Sequence, residues 1–243
     1  TITLNGITGG ICYGDTAGEI DVTATGSGDI SYTWSSGNNT AMISNLAAGT
    51  YTLDSDDIDV DRSFTDLTLQ GASVTTTIIQ AHESKDSATQ SVFDIEASNT
   101  ITINDVAIKN GKSSWAGGID NDGILTINEC SIIDNIATGW GGGGVFVRSS
   151  GASATINNST ISGNEGSDTG SSRSGAGIKL NTSGTTLVIT NSTISGNRSR
   201  NNSGYTAGGI SNYGGTVTMT NCTVANNISD YKAGGFYQPS GTL

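Results

Sequence analysis

The chain has 243 residues, with 35 glycines, one proline, three cysteines and one histidine, and only 13% of its residues are charged. Acidic side chains outnumber basic ones 22 to 10, a formal net charge of −12, which repels phosphate and argues against nucleic acid or an anionic lipid surface as a partner. No apolar run approaches the ~18–20 residues of a membrane helix, so no membrane insertion is expected in this segment. Cys12, Cys130 and Cys222 lack the number of a disulfide framework and the spacing of a zinc site.

Residues 1–48 alternate apolar and polar positions in short runs, Ile20/Val22 and Ile30/Tyr32/Trp34, with Met42 in a third, between Gly and Asn turns. They read as a small β module or cap. The acidic run DSDDIDVD follows, with Asp54, Asp56, Asp57, Asp59 and Asp61. Asp57, Asp59 and Asp61 alternate with Ile58 and Val60, so a strand there turns all three outward. Clustered carboxylates can hold Ca²⁺, a hard cation that takes ~6–8 oxygens. The run lacks the EF-hand spacing, and a solvated acidic face accounts for it as well. His82, beside Glu83, Lys85 and Asp86, reads as part of a solvated loop.

From residue 100 onward one phrase recurs: TITINDVAIKN, LTINECSIIDN, ATINNSTISGN, LVITNSTISGN and VTMTNCTVANN. A second phrase follows each: AGGI, GGGV, GAGI, AGGI and AGGF. The units start at Ile101, Leu125, Ala154, Leu187 and Val217, at spacings of 24, 29, 33 and 30 residues, and Leu67–Leu69 fits the same slot. Strands this short form no stable sheet within one unit. Stacked as coils ~4.8 Å apart, they form sheets running along an axis. Residues 49–243 are therefore read as an all-β, right-handed parallel β-helix with three short strands per coil.

Three inward columns follow from the alternation: Ile103/Ile127/Ile156/Ile189/Met219, Ile108/Ile132/Ile161/Ile194/Val224 and Ile119/Val145/Ile178/Ile210/Phe236. Asn135, Asn164, Asn197 and Asn227 share one corner register and should form a ladder of amide hydrogen bonds. Cys130 and Cys222 fall in a column with Val106, Ser159 and Ser192, as small core residues three coils apart, too far for a disulfide. The paired glycines are expected to supply turns with positive φ.

Catalytic constellations are scarce. Asp120 and Asp122 flank Asn121 closely enough for a carboxylate pair, and read equally as turn residues between coils. Arg148, Arg173, Arg198 and Arg200 lie near variable loops with no carboxylate repeated beside them. Trp140, Tyr205 and Tyr231 recur just before the second phrase, with Arg173 in the same place in the third coil and Trp115 shifted by one. Flat rings at coil spacing can stack sugars, with Arg adding hydrogen bonds; they can also simply shield the sheet edge.

The GGGI…LTITNSTISGN pattern resembles bacterial secreted right-handed β-helix repeat proteins of the polymorphic outer-membrane and choice-of-anchor types. The N-terminal stretch resembles a SprB-repeat adhesin module through Cys12, Tyr32, Trp34, Asn45, Leu46 and Gly49 to Leu53. The resemblance implies a secreted or extracellular protein of the bacterial cell surface, such as an adhesin; with the scarcity of catalytic constellations, the reading is an adhesin, stalk or filament subunit without catalysis, whose one candidate cofactor is Ca²⁺ at the acidic run. The alternative is a polysaccharide-active lyase or glycoside hydrolase on the same fold, or a glycan-binding module. Ser240–Leu243 matches the opening of a further coil, with Leu243 26 residues after Val217. Self-association or tandem copies by end-to-end β stacking are thus expected as partners, beside surface glycans.

Overall fold

In the computed structural model the described residues are 2–8, 19–24, 40–53, 57–60, 66–166, 175–200 and 206–243, the strands before residue 46 as backbone. They are all β: a parallel β-helix, as the repeat dictates. Ile2–Thr8 and Glu19–Ala24 pair antiparallel as a two-stranded sheet. Parallel stacking begins at Thr40–Leu46, whose residues Ala41 and Ile43 stand opposite Leu67 and Leu69. Parallel stacking among the described residues thus begins within residues 1–48, nine residues ahead of the 49 at which the β-helix is expected to start. Cys12, Tyr32 and Trp34 lie outside the described residues.

The first sheet takes one strand from each of seven coils, from Thr40–Leu46 to Thr216–Thr220. The second runs from Gly49–Thr52 to Thr223–Ala225, also with seven strands. A third sheet of five two-residue strands, Lys112–Ser113 to Ile228–Ser229, was not expected. The fourth, again seven-stranded, runs from Ile58–Val60 to Phe236–Tyr237. Each later coil therefore has four strands where periodicity indicated three.

All three inward columns pair residue for residue. Ile103, Ile127, Ile156, Ile189 and Met219 are Cα partners down the first sheet. The Ile108 column lines the second sheet. The Ile119 column lines the fourth. Together they form one continuous apolar core. Cys130 is buried and Cys222 half-buried, and both are free thiols. Their sulfurs sit 3.4 Å from the carbonyls of Ile103 and Ile189, one coil back.

The corners carry the polar half of the pattern. Asn135 Nδ2 donates to Asn164 Oδ1 at 3.1 Å, Asn164 to Asn197 at 3.0 Å and Asn197 to Asn227 at 2.9 Å. Each Oδ1 also accepts the main-chain N–H of the preceding rung, as in Asn135 N–H to Asn164 Oδ1 at 3.0 Å. Each Nδ2 also reaches a carbonyl one coil back, as from Asn164 to Ile132 at 2.9 Å. The ladder is sealed from water at Asn135, Asn164 and Asn197. A second, half-exposed amide row joins Asn104, Asn128 and Asn157.

The glycine pairs serve a purpose other than the expected one. None of Gly118, Gly144, Gly177 or Gly209 has a positive φ. A Cβ on Gly118 would stand 2.3 Å from Gly144 O, and one on Gly144 2.6 Å from Gly177 O, so successive coils touch backbone to backbone there. The left-handed turns instead fall on Asp105, Glu129, Asn158, Asn191 and Asn221 at one corner, and on Asn110, Asp134, Gly163, Gly196 and Asn226 at the next. Asn and Asp tolerate this conformation better than most side chains.

The ladder makes a graded prediction. Asn164→Ala leaves the sealed Asn135 main-chain N–H and one Asn135 amide hydrogen without their acceptor and should cost about 3 kcal/mol, since each buried unsatisfied group costs ~1–3 kcal/mol. Asn157→Ala, where water can replace the amide, should cost under ~1 kcal/mol. Urea unfolding of both variants checks the difference.

Candidate functional site

The outward side of the fourth sheet breaks the rule that outward positions meet solvent. Its central column reads Asp59, Asp94, Asp120, Phe146, Lys179, Ser211 and Tyr237, in register down the sheet. Asp120, Phe146, Lys179 and Ser211 are all at most 2% exposed. The chain between the third and fourth sheets folds back over them. Ser211 Oγ accepts the Ala207 N–H at 2.7 Å. Lys179 Nζ donates to the Trp140 carbonyl and lies 5.1 Å above the Phe146 ring and 5.2 Å from that of Tyr213. Trp115 stacks on Phe146, with centroids 6.4 Å apart and planes 5° from parallel. Gly141 passes so close beneath Trp115 O that a Cβ there would overlap it.

This face gathers residues that the sequence scattered. Trp115, Trp140 and Tyr231 stand at one corner of three coils, 45%, 53% and 50% exposed. They follow the strands Lys112–Ser113, Ile136–Ala137 and Ile228–Ser229 and precede those of the fourth sheet. Lys232 Nζ lies 4.8 Å over the Tyr231 ring. Arg173 and Tyr205, expected in the same row, lie outside the described residues.

Asp57 and Asp59 belong to the same face, and oxygens of Asp57, Asp59 and Asp94 lie within 4.8 Å of one another. Asp54, Asp56 and Asp61 of the acidic run lie outside the described residues. Asp94 was missed. Its signal is the apolar-flanked Phe93-Asp94-Ile95, which aligns one coil ahead of Ile119-Asp120-Asn121, but no repeated phrase marks that coil.

Two readings of single residues change. Asp120 is the buried centre of a strand, and only Asp122 has left it for the following turn. Arg148 does have carboxylates beside it: it pairs with Asp120 at 3.2 Å and with Asp122, to which its Nε also donates at 2.7 Å. Its guanidinium lies 5.7 Å from the Trp115 ring. Arg198 and Arg200 are likewise paired, with Asp230 and Glu165 at 3.0 and 2.8 Å, on the third sheet. His82 remains a loop residue whose Nδ1 accepts the Ser84 N–H.

The electrostatics follow from enclosure. Burial pushes Asp57 up to about 7, reinforced by the charge of Asp59. Burial raises Asp94 in the same way, against the pull of Arg148. Asp120 also rises to about 7, because burial outweighs its ion pair. Burial is the largest influence on Asp122 and pushes it up, but the hydrogen bonds from Arg148 and Ser149 and the charge of Arg148 together overcome it and hold this carboxyl below the usual range. The Asp122 hydrogen bond in turn raises Arg148. One oxygen each of Asp94, Asp120 and Asp122 is closed from solvent without a hydrogen-bond partner.

A surface depression of about 440 Å³ elsewhere, lined by Val74, Glu129, Cys130 and Asn158 among others, holds no activated nucleophile. Burial pushes the Cys130 thiol up to about 12, and only the thiolate attacks. No helix among the described residues is long and apolar enough to cross a membrane.

No protein-family model and no curated protein matches this chain. Among solved structures it is similar to a pectin methylesterase from carrot, at 15% sequence identity and a TM-score of 0.44. The match covers 76% of this chain and 56% of that one.

Arg148 is the keystone of the face. Arg148→Met leaves Asp120 and Asp122 enclosed without their cation and should destabilise the protein by about 3 kcal/mol, the scale of breaking a buried pair from one side. Arg198→Met, on the more exposed pair, should cost under ~1 kcal/mol. Thermal and urea unfolding of the two variants test the contrast.

Proposed function

We propose that this chain is an extracellular, adhesive β-solenoid that binds glycans on the outward face of the fourth sheet and catalyses no reaction there. The observation that carries the reading is convergence. Half-exposed rings at one corner and an acidic, arginine-bearing column meet on a single face, although they are far apart in sequence. Sugar rings stack on flat aromatic surfaces through their C–H faces, while carboxylates accept and guanidinium groups donate to hydroxyls. Trp115 and Trp140 sit on adjacent coils, so a chain of sugars lying along the axis meets them in sequence.

Two features support binding over turnover. Asp120 is enclosed, so it does not reach a solvent-borne substrate without movement of the ring and loop above it. Asp122, the more accessible carboxyl of the pair, is already held by two nitrogens of Arg148. The bacterial cell-surface setting rests on the likeness of the repeat to secreted β-helix proteins, and the stalk or filament role on the coil-by-coil stacking that lets such proteins lengthen.

A glycan panel with the purified protein tests this reading. Wild type should bind at least one neutral or acidic polysaccharide, and Trp115→Ala and Trp140→Ala should each weaken that binding by ~2–10-fold, on the scale of ~0.5–1.5 kcal/mol that a stacked aromatic contact is worth beyond area. Undiminished binding by both variants overturns the site. Release of reducing ends or acyl groups from the panel, lost in Asp122→Asn, would replace adhesion by the polysaccharide-active alternative.

A further inference from the structure

Asp57, Asp59 and Asp94 come from two neighbouring coils. Asp59 and Asp94 are Cα partners across adjacent strands, and Asp57 lies one residue ahead of the first of those strands. Their ligand oxygens lie within 4.8 Å of one another. A third coil adds Asp120, the Cα partner of Asp94. Its side chain is 3% exposed, with Oδ2 on Arg148 and Oδ1 closed from solvent without a partner. Asp94 Oδ1 is also enclosed and unpartnered.

The charge balance is uneven. The ion pairs of the cluster come from one guanidinium, Arg148, and it is spent on Asp120 and Asp122. Asp59 and Asp94 form no ion pair among the described residues. Enclosed oxygens without a donor are costly to leave unmatched. A small cation satisfies several at once.

We propose that Asp57, Asp59 and Asp94, with the inner oxygen of Asp120 behind them, bind one calcium ion that ties three successive coils together. The donor set is all oxygen, without imidazole or thiolate, which favours a hard cation over zinc or copper. Oxygens on opposite sides of Ca²⁺ at ~2.3–2.6 Å from it are up to ~5 Å apart, a reach that Mg²⁺ at ~2.0–2.1 Å does not match. Four carboxylates, some bidentate, and water complete the ~6–8 oxygens that calcium takes. The acidic run thus supplies two of the ligands, and the next two coils supply the others. The site is independent of the glycan reading: a protein that binds no sugar would still bind the ion.

The experiment is calorimetric titration of the metal-stripped chain with CaCl₂, and separately with MgCl₂, paired with thermal unfolding in calcium and in EDTA. Wild type should bind one calcium with a Kd of ~10⁻³ M or tighter, the range of extracellular modules. Its midpoint should rise by several degrees in millimolar calcium, with a smaller response to magnesium. Asp59→Asn and Asp94→Asn should each weaken binding at least ~10-fold and abolish the thermal increment. Each should also unfold at a higher temperature than wild type in EDTA, because a repelling charge is gone. Asp86→Asn, in the exposed loop, should behave as wild type. If Asp94→Asn fails to fold, Asp59→Asn, exposed at the end of the column, gives the same answer. Absence of a calcium heat in wild type, or equal calcium response in wild type, Asp59→Asn and Asp94→Asn, overturns the proposal.

Discussion

No coil of this chain can satisfy its own backbone. Every inner strand of the parallel stack donates to and accepts from the coils on both sides, in strands of two to seven residues that form no sheet within a coil. A single unit has no stable existence, and the chain must place like beside like at each step. That constraint explains why the inward positions are so uniform. A β-branched residue of one size fits over the same residue one coil down, and a different size leaves a void or a clash. It also explains why asparagine fills the sealed corner. Its amide is a donor and an acceptor on one short side chain, so it continues a ladder indefinitely, while Ser or Asp at the same point would leave a group unmatched.

The same constraint fixes the backbone where coils approach most closely. The glycines before the fourth sheet are there because the carbonyl of the next coil occupies the space of a Cβ. The positive-φ turns fall where short polar side chains or glycine can take them. Glu129 is the exception in residue type, and it shares its corner with four Asp and Asn residues. The corner geometry is imposed by the stack, and residue preference only lowers its cost.

The inward face was legible because its rule is simple: period two within a strand, identity between coils. The three apolar columns, the Asn135–Asn227 ladder and the placement of Cys130 and Cys222 could be read from aligned phrases alone. Where a rule needs length, the sequence was silent. Two-residue strands carry no periodicity, so the third sheet was invisible. Asp94 sits in a coil without either recurring phrase, so nothing aligned it with Asp59 and Asp120. Asp120 looked like a turn residue because its neighbours Asn121, Asp122 and Gly123 are turn formers. Its enclosure depends on a loop folding back over it, which no local pattern states. Arg148 was visible, but its partners lie 26 and 28 residues earlier, in a column whose register had first to be known.

What makes the fourth sheet different is therefore its covering. On the first sheet the outward residues alternate with the core and stay partly wet, as the pattern iBiBi of Thr100–Asn104 records. On the fourth, Ile119–Asn121, Val145–Val147, Ile178–Leu180 and Ile210–Asn212 are buried on both faces. A repeat that needed only to stack would leave that side as open as the others. Instead the chain between the third and fourth sheets lays the Trp115 ring on Phe146 and brings the Trp140 carbonyl to the buried Lys179. Enclosed charge is costly unless matched. Arg148 matches Asp120 and Asp122, and Lys179 finds a carbonyl and two rings. Asp59 and Asp94 form no ion pair among the described residues, toward the end of the column where the carboxylates become accessible. The face is therefore built in two parts, a closed half whose charges support one another and an open acidic half.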